Sequence, residues 1–220
     1  MATTVGVVVF PGTNCEMDAV EAVGGLGGGG RLLWHGDADL GDVDAVIVPG
    51  GFAHGDYLRP GAIARFSPAM AAVARFAADG GPVVGICNGF QVLTEAGLLP
   101  GALQKNAGLK FLCQPTTLRV ESTDSSLTGS AELGAELSIP INHFEGNYTC
   151  DERTLARLRD EERIVLRYVD NPNGSVDDIA GVCNEARNVV GLMPHPERAC
   201  DDLLGSADGA VLLRSLLGAA

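Results

Sequence analysis

Three observations predict an α/β fold, a doubly wound and mostly parallel sheet with an added β-rich layer. Short apolar runs at 5–10, 44–48, 81–86 and 189–193 read as buried strands. Alanine-rich, helix-compatible stretches separate several of them, the alternation expected of parallel strands joined by helices. The two segments richest in chemistry, 85–91 and 191–197, each begin where an apolar run ends. Open α/β sheets place their sites at such strand ends.

Taken in order, residues 5–10 form a continuous apolar strand, followed by a glycine turn and a helix from Cys15 to about Val23. The glycine run 24–30 reads as a flexible helix-to-strand connection, because no strand feeds it as a phosphate-binding turn would require. Residues 31–34 and 44–48 are short strands, while 61–66 and 70–78 are helical by alanine content and spacing. Gly81-Pro82 marks a turn into the strand that ends at Ile86, and a helix from Phe90 to Ala96 closes at Gly97. From Leu109 to Val120 and beyond the periodicity becomes strand-like, and 163–169 and 176–183 continue the trend. These strands make up the added β-rich layer. The charged stretch 151–163 is read as an exposed helix whose charges face solvent, and 207–217 as a closing apolar helix. One domain spanning 1–220 accommodates all of this.

Composition removes several function classes. The chain has 15 basic and 28 acidic residues, a net charge of −13, which argues against nucleic acid and against anionic membranes. No apolar run approaches the ~20 residues of a membrane-spanning helix. The amino terminus has no basic region before its first strand, so no signal peptide is expected and the expected compartment is cytoplasmic. Six cysteines show neither paired nor zinc-ligand spacing, so neither a disulfide framework nor a metal site is expected. Five of them read as core or loop residues.

The sixth is Cys87, within Gly85-Ile86-Cys87-Asn88-Gly89-Phe90-Gln91. Glycines two residues to either side allow close backbone approach around a strained turn between strand and helix, a nucleophile elbow. A sulfur at a helix amino terminus is stabilised as thiolate by free N–H groups and the helix dipole. With 30 glycines in 220 residues, such flanking is too common to decide anything alone. The decisive context is Met193-Pro194-His195-Pro196-Glu197. Each proline pushes the residue before it toward an extended conformation, so His195 and Glu197 project from one face. An imidazole to take the thiol proton and a carboxylate to orient it complete a nucleophilic triad. The competing reading is a proline-rich surface turn.

Together these motifs resemble the class I, triad-type glutamine amidotransferases. Further blocks match across the chain: Phe10 to Cys15, Val48 to Phe52 with Gly55 to Arg59, Ile139-Pro140-Ile141 with His143, Glu145 and Gly146, Asp170 to Ser175, and Ile179 to Val182. They point to the subfamily that serves purine biosynthesis. The resemblance implies that Cys87 attacks glutamine, that His195 acts as general base and acid, and that Glu197 orients it. It also implies an oxyanion hole from the backbone N–H groups of Gly51 and Asn88, with Gln91 contacting substrate and Gly50, His54 and His143 as further candidates. For His54 and His143 a structural role is the favoured reading over substrate or interface contact, and His35 is read as structural.

No cofactor is implied on this chain. The family's ammonia goes to a separate synthetase subunit, which uses ATP and magnesium to form formylglycinamidine ribonucleotide, with a small accessory subunit in the same complex. The chain departs from the family pattern at Ala53-His54, where Ser-Tyr is usual, and at Phe144, where a small residue is usual. Competing readings are an amidotransferase feeding a different synthetase, a DJ-1/PfpI-like hydrolase, and a catalytically silent interaction subunit. The second rival lacks the Pro194 to Glu197 ending and usually has His after its cysteine.

Overall fold

The computed structural model describes residues 2–220. Four apolar segments form the middle of the sheet: β1 (Thr4–Val9), β3 (Ala45–Val48), β4 (Val83–Ile86) and β11 (Val189–Leu192). The last three are buried along their whole length, which is why they carry no hydrophobic alternation. β2 (Gly29–Trp34) lies outside β1 at the edge and is largely exposed. These five strands are mutually parallel in the order β2-β1-β3-β4-β11.

Helix α1 (Glu16–Gly25) connects β1 to β2, and α2 (Pro68–Ala78) lies between β3 and β4 in the chain. The helix α3 (Asn88–Glu95) follows β4 directly, and α5 (Gly209–Ala219) closes the chain. The doubly wound expectation holds for this part. The expected β-rich layer is found as the continuation of the same sheet. β10 (Ile179–Cys183), β9 (Ile164–Tyr168), β6 (Leu112–Val120) and β7 (Glu136–His143) add to it in that order, all antiparallel. A separate pair, β5 (Ala102–Gln104) and β8 (Asn147–Thr149), lies apart from the main sheet.

Several local expectations are corrected. Helix α1 runs into the glycine run, and β2 begins within it at Gly29. Gly30 pairs with Val5 of β1 and has no room for a side chain, because Val20 of α1 lies 3.0 Å from where one would begin. Residues 61–66 are a turn with one 3₁₀ segment, Ala64–Phe66, because α2 takes its start from Ser67-Pro68. A 3₁₀ turn, Val176–Asp178, precedes β10 where strand was expected. The charged helix α4 (Glu152–Asp160) is capped by Asp151, whose carboxylate accepts from Thr154 N–H at 2.7 Å. Arg163, just beyond it, is buried rather than solvated and donates to the Cys183 carbonyl.

Candidate active site

Register brings the site together. Val48 of β3 lies beside Gly85 of β4, and Ile86 of β4 beside Leu192 of β11. Three adjacent parallel strands therefore end at one edge, delivering Pro49-Gly50-Gly51, Cys87 and Met193 to Glu197 to the same place. The segment after β11 is pinned by hydrogen bonds from Met193 N–H to Ala180 and from His195 N–H to Pro140.

Cys87 sits at φ 51°, ψ −107°, a conformation costly for a side chain of its kind. Close packing holds it there. A methyl group on Gly89 would lie 1.8 Å from the Val48 carbonyl oxygen, and one on Gly85 2.7 Å from Gly89. The two glycines are thus contact points between α3 and strands β3 and β4. The Cys87 N–H is spent on the Leu192 carbonyl at 2.8 Å, which ties the turn to β11. Its thiol is nearly buried and lies 3.7 Å from the Asn142 carbonyl.

His195 Nδ1 donates to Glu197 Oε1 at 2.6 Å, and both side chains are about 1% exposed. That bond fixes the tautomer, leaving Nε2 free to accept a proton. Nε2 is buried without a hydrogen-bond partner; such contacts are often loose before substrate binds. Burial pulls the His195 pKa down, but the Glu197 carboxylate and then the Cys87 sulfur outweigh it and hold it well above the usual imidazole value.

The first hydrogen bond of α3 runs from Gln91 N–H to the Cys87 carbonyl, so the Asn88 N–H precedes the helical ladder and has no acceptor in it. Gly51 N–H also donates to no described group; the neighbouring Phe52 N–H is the one that bonds Gly12. Gly51 has φ +133°, and a side chain there would meet Asn14 backbone at 2.6 Å. The Asn88 carboxamide ties the two donors together, accepting from Ala53 N–H at 3.0 Å and donating to Gln91 Oε1 and Asp56 Oδ1 at 2.8 and 2.9 Å.

A cleft of about 260 Å³ opens onto Cys87 and His195. Gly51, Gln91, His143 and Phe144 line it, so the Phe144 departure forms part of its wall. Gln91 also donates to the Glu145 carbonyl. Gly50 lies beneath the site, where a side chain would stand 2.8 Å from His195 Cε1. His143 pairs with Asn106 Oδ1 at 3.0 Å, and burial, then His195, lowers its pKa to about 4, so it stays neutral. His54 is not brought to the cleft: its ring packs against His35 and Phe10, with centroids 5.1 and 6.1 Å away. His35 bonds Ser67 at 3.1 Å, as a structural residue would.

Cys15 is misplaced by a reading as ordinary core. Its sulfur lines the cleft and is contacted by Arg198 Nη2 at 3.2 Å. Ligand-type atoms of Cys15, His195 and Glu197 lie within 4.8 Å of one another, although the His195–Glu197 bond already employs two of these side chains. Asn14, Phe52, Asp56, Phe111, Asn142, Glu145 and Arg198 complete the lining. The matched blocks signalled Asn14, Cys15, Phe52, Asp56 and Glu145 from sequence; nothing in the sequence singled out Phe111, Asn142 or Arg198.

A strained thiol at a helix start, a buried imidazole–carboxylate pair and two unspent N–H groups make up the apparatus of thiol-dependent acyl transfer. The chain belongs to the CobB/CobQ-like glutamine amidotransferase domain family, whose model matches residues 2–208, and within it to the PurQ branch. It is 61% identical over 216 residues to phosphoribosylformylglycinamidine synthase subunit PurQ of Rubrobacter xylanophilus, covering 98% of each chain. The same subunit of Koribacter versatilis is 54% identical over 224 residues, covering 97% of each. Among solved structures, a chain of PurLQS from Thermotoga maritima matches with a TM-score of 0.91 at 43% identity, covering 99% of each chain.

Proposed function

We propose that this chain is the glutaminase subunit of phosphoribosylformylglycinamidine synthase, releasing ammonia for a synthetase partner in purine biosynthesis. The observation that carries the chemistry is Cys87 at its positive-φ turn, one residue before the unspent Asn88 N–H and beside the His195–Glu197 pair. His195 Nε2 takes the thiol proton, and the sulfur attacks the side-chain carbonyl carbon of glutamine. The tetrahedral oxyanion accepts from Gly51 and Asn88 N–H, and its collapse transfers the His195 proton to the departing ammonia. Water, deprotonated by the same imidazole, then cleaves the thioester and frees glutamate.

No step needs a cofactor on this chain; ATP and magnesium belong to the synthetase. Full-length likeness to named PurQ subunits, and to a chain of a solved PurLQS assembly, supports a synthetase partner and a small accessory subunit. The site of action proposed is the cytoplasm; among the described residues no helix is long and apolar enough to cross a membrane. The test is separation of the two half-reactions in the assembled complex. Cys87→Ala should abolish synthesis from glutamine while synthesis from added ammonium salt persists. Retained glutamine-dependent synthesis would refute the assignment.

A further inference from the structure

The groups that act on the amide treat every primary carboxamide alike, so selection of an amino acid must come from elsewhere in the cleft. We propose that Asp56, together with Glu145, seats the α-ammonium group of the substrate and so selects glutamine over amides that lack it. This inference rests on the glutaminase reading above.

Asp56 is held by the backbone and by a hydrogen bond from Asn88. Its φ is +52°, and His54, Gly55 and Leu58 around it are also in the left-handed region, at +54°, +67° and +70°. Such strain persists only where the surroundings impose it, and it concentrates at functional sites. Asp56 Oδ1 accepts from Asn88 Nδ2 at 2.9 Å, placing the carboxylate beside the residue that follows the nucleophile. The same Nδ2 donates to Gln91 Oε1 at 2.8 Å, and Gln91 Nε2 donates to the Glu145 carbonyl.

The donors of this chain of side chains therefore point inward, with both protons of Asn88 Nδ2 spent. What it offers the cleft is acceptors: the second oxygen of Asp56, which takes no hydrogen bond from a described group, and Glu145, a lining residue whose charge acts on Asp56. The only guanidinium lining the cleft among the described residues, Arg198, is already committed to Asp18 at 2.9 Å and to Cys15 at 3.2 Å. An acceptor-rich, negatively charged wall calls for a cationic N–H donor, and the ammonium of an amino acid is one. Burial, then the nearby Glu145 charge, penalises ionised Asp56 despite the Asn88 hydrogen bond, and an arriving ammonium relieves that penalty.

A purely structural Asp56 would merely tie its loop to α3 through Asn88. Paired substrates separate the two roles. In the assembled complex, kcat/KM is measured for L-glutamine and for 4-carbamoylbutanoate, which keeps the amide and the carboxylate but has no ammonium. Asp56→Asn, which preserves an acceptor for Asn88, should lower kcat/KM for glutamine about 10- to 100-fold, the worth of a charge-assisted hydrogen bond. It should leave the rate on 4-carbamoylbutanoate unchanged, and Glu145→Gln should show the same pattern more weakly. Inhibition constants of L-glutamate and glutarate provide the same comparison without turnover, with only L-glutamate weakened. Equal losses on both members of a pair, or no loss with glutamine or L-glutamate, would overturn the proposal. A wild-type complex inert toward glutamine would instead overturn the glutaminase reading.

Discussion

Gly50→Ala should disable the enzyme while leaving it folded. Gly50 does not have a positive φ, so its backbone accepts alanine. The added methyl would stand 2.8 Å from His195 Cε1, 3.2 Å from Cys15 Sγ and 3.5 Å from Cys87 Cβ. Carbon atoms rest about 3.5–4.0 Å apart, so relieving the first contact moves the imidazole by roughly 1 Å. The ring has little freedom, being 1% exposed and held to Glu197 at 2.6 Å. A misplacement of about 1 Å can cost about 10²-fold in rate, and overpacking costs about 1–3 kcal/mol of stability. For a chain of this length that lowers Tm by a few degrees. The assay is glutamine-dependent and ammonia-dependent synthesis by the complex, alongside a melting curve. Gly89→Ala is the contrasting control: its methyl would meet the Val48 carbonyl oxygen at 1.8 Å, backbone that cannot yield, so it should fail to fold. Wild-type kcat and Tm for Gly50→Ala would refute the claim that the triad rests on this glycine.

Cys87 should react with a glutamine-like alkylator far faster than the other five cysteines, as mapped by peptide mass; preferential labelling of Cys15 would mean the wrong sulfur has been assigned. His195→Ala should cost at least about 10³-fold in kcat with assembly intact, and a near-normal rate would reject the triad. In Glu197→Gln the charge that outweighs burial is gone, so the His195 pKa should fall; an NMR titration showing it unmoved would rule out that cause. Burial, then the charge of Glu145, pushes Asp56 up to about 6 against the hydrogen bond from Asn88. Below that pH Asp56 is protonated and the proposed ammonium seat is lost, so kcat/KM for glutamine should fall as pH drops through about 6. Asp56→Asn should remove that limb, and its persistence would assign it to another group.

The parallel half of the sheet was legible because β3, β4 and β11 are short apolar runs, and because two of them end in residues that only chemistry explains. β7 was harder to read: Pro140 interrupts it, tolerated because β7 is an edge strand paired only with β6, where Pro115 lies opposite. β5 and β8 have three residues each, too few for any period to show. Gly29 and Gly30 carry no strand preference and are strand because they pair with Thr4 and Val5 of β1, with α1 packed against Gly30. Cys15 stands beside His195 through the space that Gly50 leaves, a relation no local spacing encodes.

The block at 170–175 shows how a sequence signature can mark a site without touching the chemistry. Asn173 is fully buried and donates to the Gly146 carbonyl at 2.8 Å, while Ser175 Oγ accepts from Tyr148 N–H at 2.9 Å. Asn106 Oδ1 accepts from Gly146 N–H at 3.1 Å on the other side of the same turn. The turn so braced carries Glu145, whose carbonyl receives Gln91 and which lines the cleft. The block thus supports the wall proposed to read the amino-acid end of the substrate, while the glycines around Cys87 support the end where bonds change. Loosening the brace with Asn173→Ala should therefore weaken L-glutamate as an inhibitor more than it slows alkylation of Cys87. If both change equally, the turn supports the whole cleft rather than one end of it.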